Sequence, residues 1–356
     1  MDRYIGVDVH RASTTFEVLS ASGKKVRRDV VETNGGALVG YVKQLGGKRH
    51  VCVEEGEWSE WLYEIFLPHA EEVVVYRGRR REGSKSDAID AHALAEKMRT
   101  GKVGHPVFKD RGGLRGLREA ARVNGMVTRD VVRVKNRLKS LYRSRGIRCT
   151  GEGVYDPRRR EAYVRELPKA MQGVAEVLGA ELDQLEALKK RTEGAMVKES
   201  HRHRISRILE TVPGLGPVRV AQVLPVVVTP YRFRTKRQFW SYAGFGIETH
   251  SSSDWVAKDG GWARGRVVQT RGLSFNHNHT LKGVFKGAAT SALGMTGPNL
   301  LREVYERLLA NGTKPNLAKL TIARKIAAMT LAMWKRQERY APEKVCWGNN
   351  GSDPGE

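Results

Sequence analysis

Five short runs of β-branched and apolar residues, interrupted by two helical stretches, fill the first hundred positions and leave few folds open to them. YIGVDVH (4–10), TTFEVLSA (14–21) and KVRRDVVET (25–33) read as three successive strands, with the turn SGK between the second and third. A helix follows over GALVGYVKQLG (36–46), then a strand HVCVEE (50–55), a helix WSEWLYEIFLPHA (58–70) and a strand EVVVYR (72–77). A basic loop, GRRREG (78–83), leads into SKSDAIDAHALAEKMR (84–99). There Ala91, Leu94, Ala95 and Met98 recur at the spacing of one helical face, and Asp87 and Asp90 fall on or beside that face.

The order βββαβαβα is that of the ribonuclease H fold, a mixed α/β sheet in which the first and fourth strands are neighbours and the last helix packs near their ends. Asp8 lies inside the first strand, Glu54 and Glu55 end the fourth, and Asp87 and Asp90 begin the last helix. In such a sheet Asp8, Glu54, Asp87 and Asp90 converge. Four carboxylates that close cannot all remain ionised and unpaired, and hard divalent cations relieve the repulsion. The expected cofactor is Mg²⁺, with Mn²⁺ as a substitute. A two-metal site of this kind suits phosphodiester cleavage, since it activates a nucleophile and stabilises the leaving oxygen. Glu55 stands as an alternative to Glu54, although strand alternation points the two to opposite faces. Arg79, Arg80 and Arg81, just ahead of the acidic helix, are candidates for holding a phosphate near the metals.

Lys and Arg number 63 against 39 Asp and Glu, a net charge of +24, which points to a polyanionic partner. The excess is concentrated. Residues 108–148 hold thirteen Lys/Arg against three Asp/Glu, a local net charge of +10. Val127, Val131, Val134, Leu138 and Leu141 repeat there at 4, 3, 4, 3, a coiled-coil seam, and Leu178, Leu182, Leu185 and Leu188 form the matching stripe of a second helix. The expectation is a helical coiled-coil arm with one basic edge, on which Arg133, Lys135, Arg137 and Lys139 would meet nucleic acid. Beyond residue 204, LETVPGLGPVRVAQVL (209–224) reads as a helix-hairpin-helix. Gly214, Gly216 and Arg219 would present that turn to a phosphate backbone. The rest of the C-terminal region is expected to be mostly helical and to end in a core helix over 316–336. His277 and His279 are expected to cap a helix or sit on the surface. Trp58, Trp61, Phe239 and Trp240 are expected in the core or at an interface.

Cys52, Cys149 and Cys346 are far apart and show no metal-binding spacing. The first residues lack an apolar signal core, and no run is long enough to span a membrane. These features fit a soluble cytoplasmic protein with no membrane partner, associated with the nucleoid when acting.

IGVDVH, VEEG followed by WLYE, SKSDAIDAHALAEKMR, VPGLGP and YAGFGIETHSSS stand in the order found in the DEDD insertion-sequence transposases of the IS110 family. The sequence resembles that family over nearly its whole length. The resemblance implies a RuvC-like nuclease domain at 1–105, a basic coiled-coil arm at 106–203, a transposase domain carrying a catalytic serine at 204–340, and a tail at 341–356. It makes Asp8, Glu54, Asp87 and Asp90 a metal-binding tetrad and places the serine within Ser251–Ser253, with Ser252 favoured. It also implies action as a homo-oligomer, dimer or tetramer, on donor and target DNA under the guidance of a structured bridge RNA. Two other functions remain open to the sequence: a hydrolytic RuvC-like junction nuclease that uses the carboxylates alone, and a catalytically silent nucleic-acid-binding protein.

Overall fold

A computed structural model describes residues 1–77, 87–103, 107, 113–252, 255–258, 261–265 and 268–342. The chain forms two compact units, Met1–Gly113 and Leu114–Glu356. In the first, β1 (Asp2–Val9), β2 (Ser13–Ser20) and β3 (Lys25–Glu32) make an antiparallel meander. Gly23, at a left-handed φ of 83°, turns the chain between β2 and β3. Asn34 then caps α1 (Gly35–Gln44), its side chain accepting from the Ala37 N–H at 2.8 Å. β4 (Lys48–Glu54), α2 (Ser59–Phe66), β5 (Glu72–Tyr76) and α3 (Asp87–Arg99) complete the unit.

The sheet order is β3-β2-β1-β4-β5, with β1 parallel to β4 and β4 parallel to β5. This is the expected mixed sheet, with the first and fourth strands adjacent, and it is consistent with a RuvC-like fold. Alternation along the strands divides its two faces. Ile5, Val7, Phe16, Val18, Val51 and Val53 pack with Leu38, Val42, Leu62 and Phe66 of α1 and α2. On the opposite face Cys52 packs with Leu94 and Met98 of α3, flanked by Tyr4, Val74 and Tyr76. The face anticipated for α3 is the one it buries: Ala91, Leu94, Ala95 and Met98 are all inaccessible or nearly so. Gly6 lets α3 approach β1 closely, because a Cβ there would lie 1.9 Å from the Ala91 carbonyl oxygen.

In the second unit α4 (Arg115–Arg143) and α6 (Lys169–Ser200) run antiparallel, joined through α5 (Pro157–Arg165). Asn124 Nδ2 donates to Thr192 Oγ1 at 3.1 Å across the pair. Val127, Val131, Val134 and Leu138 are buried as the heptad pattern requires. The next inward position is Tyr142, fully buried, while Leu141 is only half-buried, and Leu188 of α6 is 36% exposed. A straight helix of 3.6 residues per turn drifts off a 3.5-residue stripe, so the expected seam holds for three turns and then rotates by one position. Arg160 of α5 crosses to α6 and makes two bonds of 2.8 Å to Asp183, over Gly179.

The chain continues as α7 (Arg204–Leu209), α8 (Pro217–Val227), α9 (Lys236–Tyr242), β6 (Ile247–Ser252), β7 (Trp255–Lys258), β8 (Gly261–Arg264), β9 (Val268–Leu273), α10 (His279–Gly294), α11 (Leu300–Ala310) and α12 (Pro315–Arg336). α12 is the anticipated core helix, burying Ile322, Ala323, Ile326 and Leu331 in a core it shares chiefly with α10, α9 and α11. Phe239 is buried in the same core. Trp240 is half-buried and donates from Nε1 to the Arg324 carbonyl at 2.9 Å, while Trp58 and Trp61 pack at the edge of the first unit's core. The strands are additional to the mostly helical organisation expected: β6 pairs with β9 and β7 with β8, both antiparallel. None of the described helices is long and apolar enough to cross a membrane.

Candidate active site

Asp8 stands near the C-terminal end of β1, opposite Thr15 of β2. The parallel register pairs Gly6 with Cys52 and Val7 with Val53, so one further step sets Asp8 alongside Glu54. Asp8 shares the α3 face with Gly6, and Glu54 shares it with Cys52, because alternate residues point the same way. Asp8 is 16% exposed at its side chain and has His10 Nε2 at 3.2 Å from Oδ2. Glu54 is exposed at the strand terminus. Glu55 faces away, its Oε2 3.4 Å from Arg77 Nε.

The direction of α3 decides where its aspartates lie. Arg99, in its last turn, donates to the Ala21 carbonyl at 3.2 Å, beyond the end of β2 that pairs with the start of β1. Ala91 and Ala95 sit over Gly6 in the middle of β1. The first turn, with Asp87 and Asp90, therefore lies toward the end of the sheet that carries Asp8 and Glu54. Asp90 is half-buried, and the side chain of Asp87 lies outside the described residues. Among the described residues no three His, Cys, Asp or Glu side chains are gathered tightly enough to hold a metal ion. The donors suit a hard divalent cation in kind, since all are carboxylates, and Asp8, Glu54 and the first turn of α3 share one end of one sheet face.

A fourth described acid on this face was not anticipated. Glu17 of β2 pairs with Gly6 across the ladder and is fully buried. Arg28 Nε donates to its Oε2, and His92 Nδ1 of α3 lies 3.2 Å from its Oε1. A buried carboxylate requires such partners, and these tie α3 to β2 and β3 two residues beyond Asp90. The sequence signal was slight: one acid within the apolar run TTFEVLSA. Cys52, beneath α3, is no nucleophile. Burial pushes its thiol up to about 12, although Lys97 works in the opposite direction.

A DEDD transposase model of the IS110 type matches residues 5–144, and a model of the IS116/IS110/IS902 transposase family matches residues 206–305. The chain belongs to the IS110 family of transposases. A Sinorhizobium fredii protein named for a transposase, y4pF/y4sB, is 23% identical over 312 residues, which cover 84% of this chain and 73% of the relative. Membership makes the chain a DNA-processing enzyme of transposition. The first family match contains all four candidate carboxylates, and the second contains the candidate serines and the Pro-Gly-x-Gly turn.

Within the second family match, the backbones of Ser251 and Ser252 pair with Gln269 and Val268 at the end of β6. Their side chains, and Ser253 entirely, lie outside the described residues. Gly216 is the N-cap of α8, with Pro217 in its first turn and open space where a Cβ would be. Gly214 has a different task. At φ 78° it presses on α10, and a Cβ would meet the Ala288 carbonyl oxygen at 2.1 Å. Arg219 turns back to donate from Nη1 to the Gly214 carbonyl at 2.9 Å. On the arm, Arg133 and Arg137 are exposed, with Arg133 paired to Asp130 on its own helix. Lys135 is more enclosed, 2.8 Å from Glu186 Oε1 and over the Tyr155 ring, so internal pairing occupies part of the expected basic edge. Lys139 also lies over Tyr155 and lines a pocket with Arg143 and Asn136. Arg79, Arg80 and Arg81 lie outside the described residues.

Proposed function

We propose that this transposase excises and inserts its element by divalent-metal-dependent cleavage and exchange of DNA strands. In this scheme Asp8, Glu54, Asp87 and Asp90 hold Mg²⁺, and Ser252 is the nucleophile. The observation that carries the proposal is the common placement of Asp8, Glu54 and the first turn of α3 on one end of one sheet face. Bound there, Mg²⁺ would supply positive charge to a scissile phosphate and its leaving oxygen. The carboxylates position that charge, and partial burial of Asp8 and Asp90 limits water around it.

Ser252 Oγ gives up its proton and attacks phosphorus. The Oγ–P bond forms, the bond to the 3′ oxygen breaks, and that oxygen takes up a proton as a free 3′-OH. The serine–DNA phosphodiester keeps the phosphodiester bond energy for rejoining, which hydrolysis would release. Gly216 at the open N-terminus of α8, with Arg133, Arg137 and Lys139 on the arm, supplies backbone contacts without reading bases. Choice of donor and target falls to a bridge RNA, and a homo-oligomer brings the two DNAs together.

The test is strand exchange with cognate DNA and RNA, followed by denaturing electrophoresis. Asp8→Asn and Asp90→Asn each reduce strand exchange by at least ~10²-fold, as expected when charge stabilisation at the phosphate is removed. Ser252→Ala abolishes the denaturation-resistant protein–DNA adduct, whereas Ser251→Ala and Ser253→Ala retain it. Full strand exchange in Ser252→Ala would refute the serine route. Metal-dependent cleavage surviving alone in that variant would identify a hydrolytic nuclease. Unchanged activity in both aspartate variants would refute the metal site.

A further inference from the structure

An open pocket of about 790 Å³ lies in the second unit between the segment around Arg232, α9, and the residues leading into α10. Arg232 and Arg234 line it together with Ser241, Tyr242, Asn276 and His277, and among the described residues no carboxylate lines it. Arg232 is locked in place. Its Nη1 donates to the Val226 and Val227 carbonyls at 3.0 and 3.1 Å, and its guanidinium lies 5.2 Å from the Tyr242 ring centre. Arg234 is exposed. His277 is also fixed, with Nδ1 2.7 Å from the Ser274 carbonyl and its ring in the space a Cβ on Gly244 would fill. That arrangement leaves Nε2 buried without a hydrogen-bond partner among the described residues, although buried polar atoms ordinarily have one.

The capping function anticipated for this segment belongs to Asn278, whose Oδ1 accepts from the Leu281 N–H at 3.0 Å. The rest of the SFNHNH segment is thereby left without a capping role. Phe275, next in sequence to the lining residue Asn276, is 92% exposed, and Tyr231, next to Arg232, is 72% exposed. Side chains of that size forgo about 2 kcal/mol each by staying in water. A cationic polar pocket adjoining exposed aromatic rings is the combination that receives unpaired nucleotides: Arg takes the phosphate, and the ring stacks on any base.

We propose that this pocket is a single-stranded nucleic-acid site, in which Arg234 and the polar groups of Ser241 and Asn276 hold a phosphate and Phe275 stacks on the adjoining unpaired base. The proposal rests on the chain being a polynucleotide-processing enzyme and adds to that function where an unpaired strand is held. It is independent of the carboxylates and the serine.

The test is fluorescence anisotropy on the full chain, without divalent metal, using labelled twelve-nucleotide oligo-dT, oligo-U and a blunt duplex of the same length. Phe275→Ala weakens single-strand binding about tenfold, within the range for loss of one stacked base, and changes duplex binding less than twofold. Arg234→Ala lowers the salt dependence of single-strand binding by about 0.7 in the log–log slope, as for one phosphate contact. The tighter of oligo-dT and oligo-U identifies the strand as DNA or RNA. Equal loss on single strand and duplex, or no loss, overturns the proposal. So does competition by polyglutamate at the same charge concentration as the oligonucleotide, which would mark a general anion site. Phe275 is almost wholly exposed, so its replacement leaves the core intact, and circular dichroism confirms this. If the wild-type chain binds none of the three probes, the parent function fails; if it binds them and Phe275→Ala is unchanged, only the pocket fails.

Discussion

Replacing Gly6 by alanine perturbs the contact that holds α3 over the strand bearing Asp8. The added Cβ would lie 1.9 Å from the Ala91 carbonyl oxygen and 2.6 Å from the Ala95 nitrogen, both backbone atoms that no rotamer change can move aside. Ordinary van der Waals contact begins near 3.4 Å, so α3 has to retreat by about 1.5 Å. The retreat loosens Leu94 and Met98 from Cys52, and overpacking of this kind costs ~3 kcal/mol, the upper end of its usual range. For a unit of this size that lowers the first thermal transition by roughly 10 °C. Asp87 and Asp90 move with the helix, and a displacement above 1 Å at a reacting centre costs about 10²-fold in rate. Gly40→Ala is the control. It lies in α1 with nothing within 4 Å of a built Cβ, and alanine there stabilises the helix by about 0.5–1 kcal/mol. Circular dichroism melts and a metal-dependent strand-exchange assay read both effects. A Gly6→Ala protein that melts within 2 °C of wild type and keeps full activity refutes the placement of α3 and the site built on it.

Glu17→Ala strips Arg28 and His92 of their shared carboxylate. Both partners are partly exposed, at 37% and 47%, and rehydrate in part, so the loss is about 2 kcal/mol, below the cost of stranding a fully buried charge. Urea unfolding measures it, and wild-type stability in the variant would show that the contacts to Glu17 do not fasten α3. Alkaline pH acts through Cys52, whose thiol is raised from 9.0 to about 12 in the fold. Below pH 9 both states keep the proton and the shift has no effect. Between pH 9 and 12 the unfolded chain releases the proton that the fold retains, so stability falls with pH by up to ~1.4 kcal/mol per unit. Tyr41, raised by burial and its hydrogen bond to Asp29, adds to the slope above pH 10. Urea titrations at pH 8, 9, 10 and 11 should give a shallower decline for Cys52→Ala than for wild type, and parallel curves would exclude the buried thiol as a cause.

Local pattern made the elements legible, and long-range pairing concealed what fastens them. The inward face of α3, the adjacency of β1 and β4, and the span of α12 all follow from periodicity and element order, which neighbouring residues encode. Glu17 meets Arg28 eleven residues away and His92 seventy-five residues away. Nothing within the strand distinguishes it from an acid on a solvated edge. Lys135 counted toward a basic edge because its partner Glu186 lies on another helix. The pairing of β6 with β9 spans a Gly- and Arg-rich segment without apolar alternation, so its register depends on backbone bonding that no side-chain pattern announces.

Two contacts far apart in sequence, one in each unit, nevertheless share one packing device. Gly6 meets Ala91 and Ala95, and Gly214 meets Ala288 and Ala292; in each case the glycine Cα presses on the carbonyl of the first alanine and the nitrogen of the second. Alanines four apart form a shallow groove on a helix, and a glycine is the residue whose backbone can enter it. The first pair positions the helix that carries Asp87 and Asp90, and the second positions the turn that opens α8. At Gly214 the same contact changes the meaning of the Pro-Gly-x-Gly sequence. Its first glycine is consumed by packing on α10 and its carbonyl by Arg219. The part of the turn left open is therefore Gly216 and the first turn of α8. The two glycines of one short motif are divided between holding the turn in the core and leaving the start of α8 open.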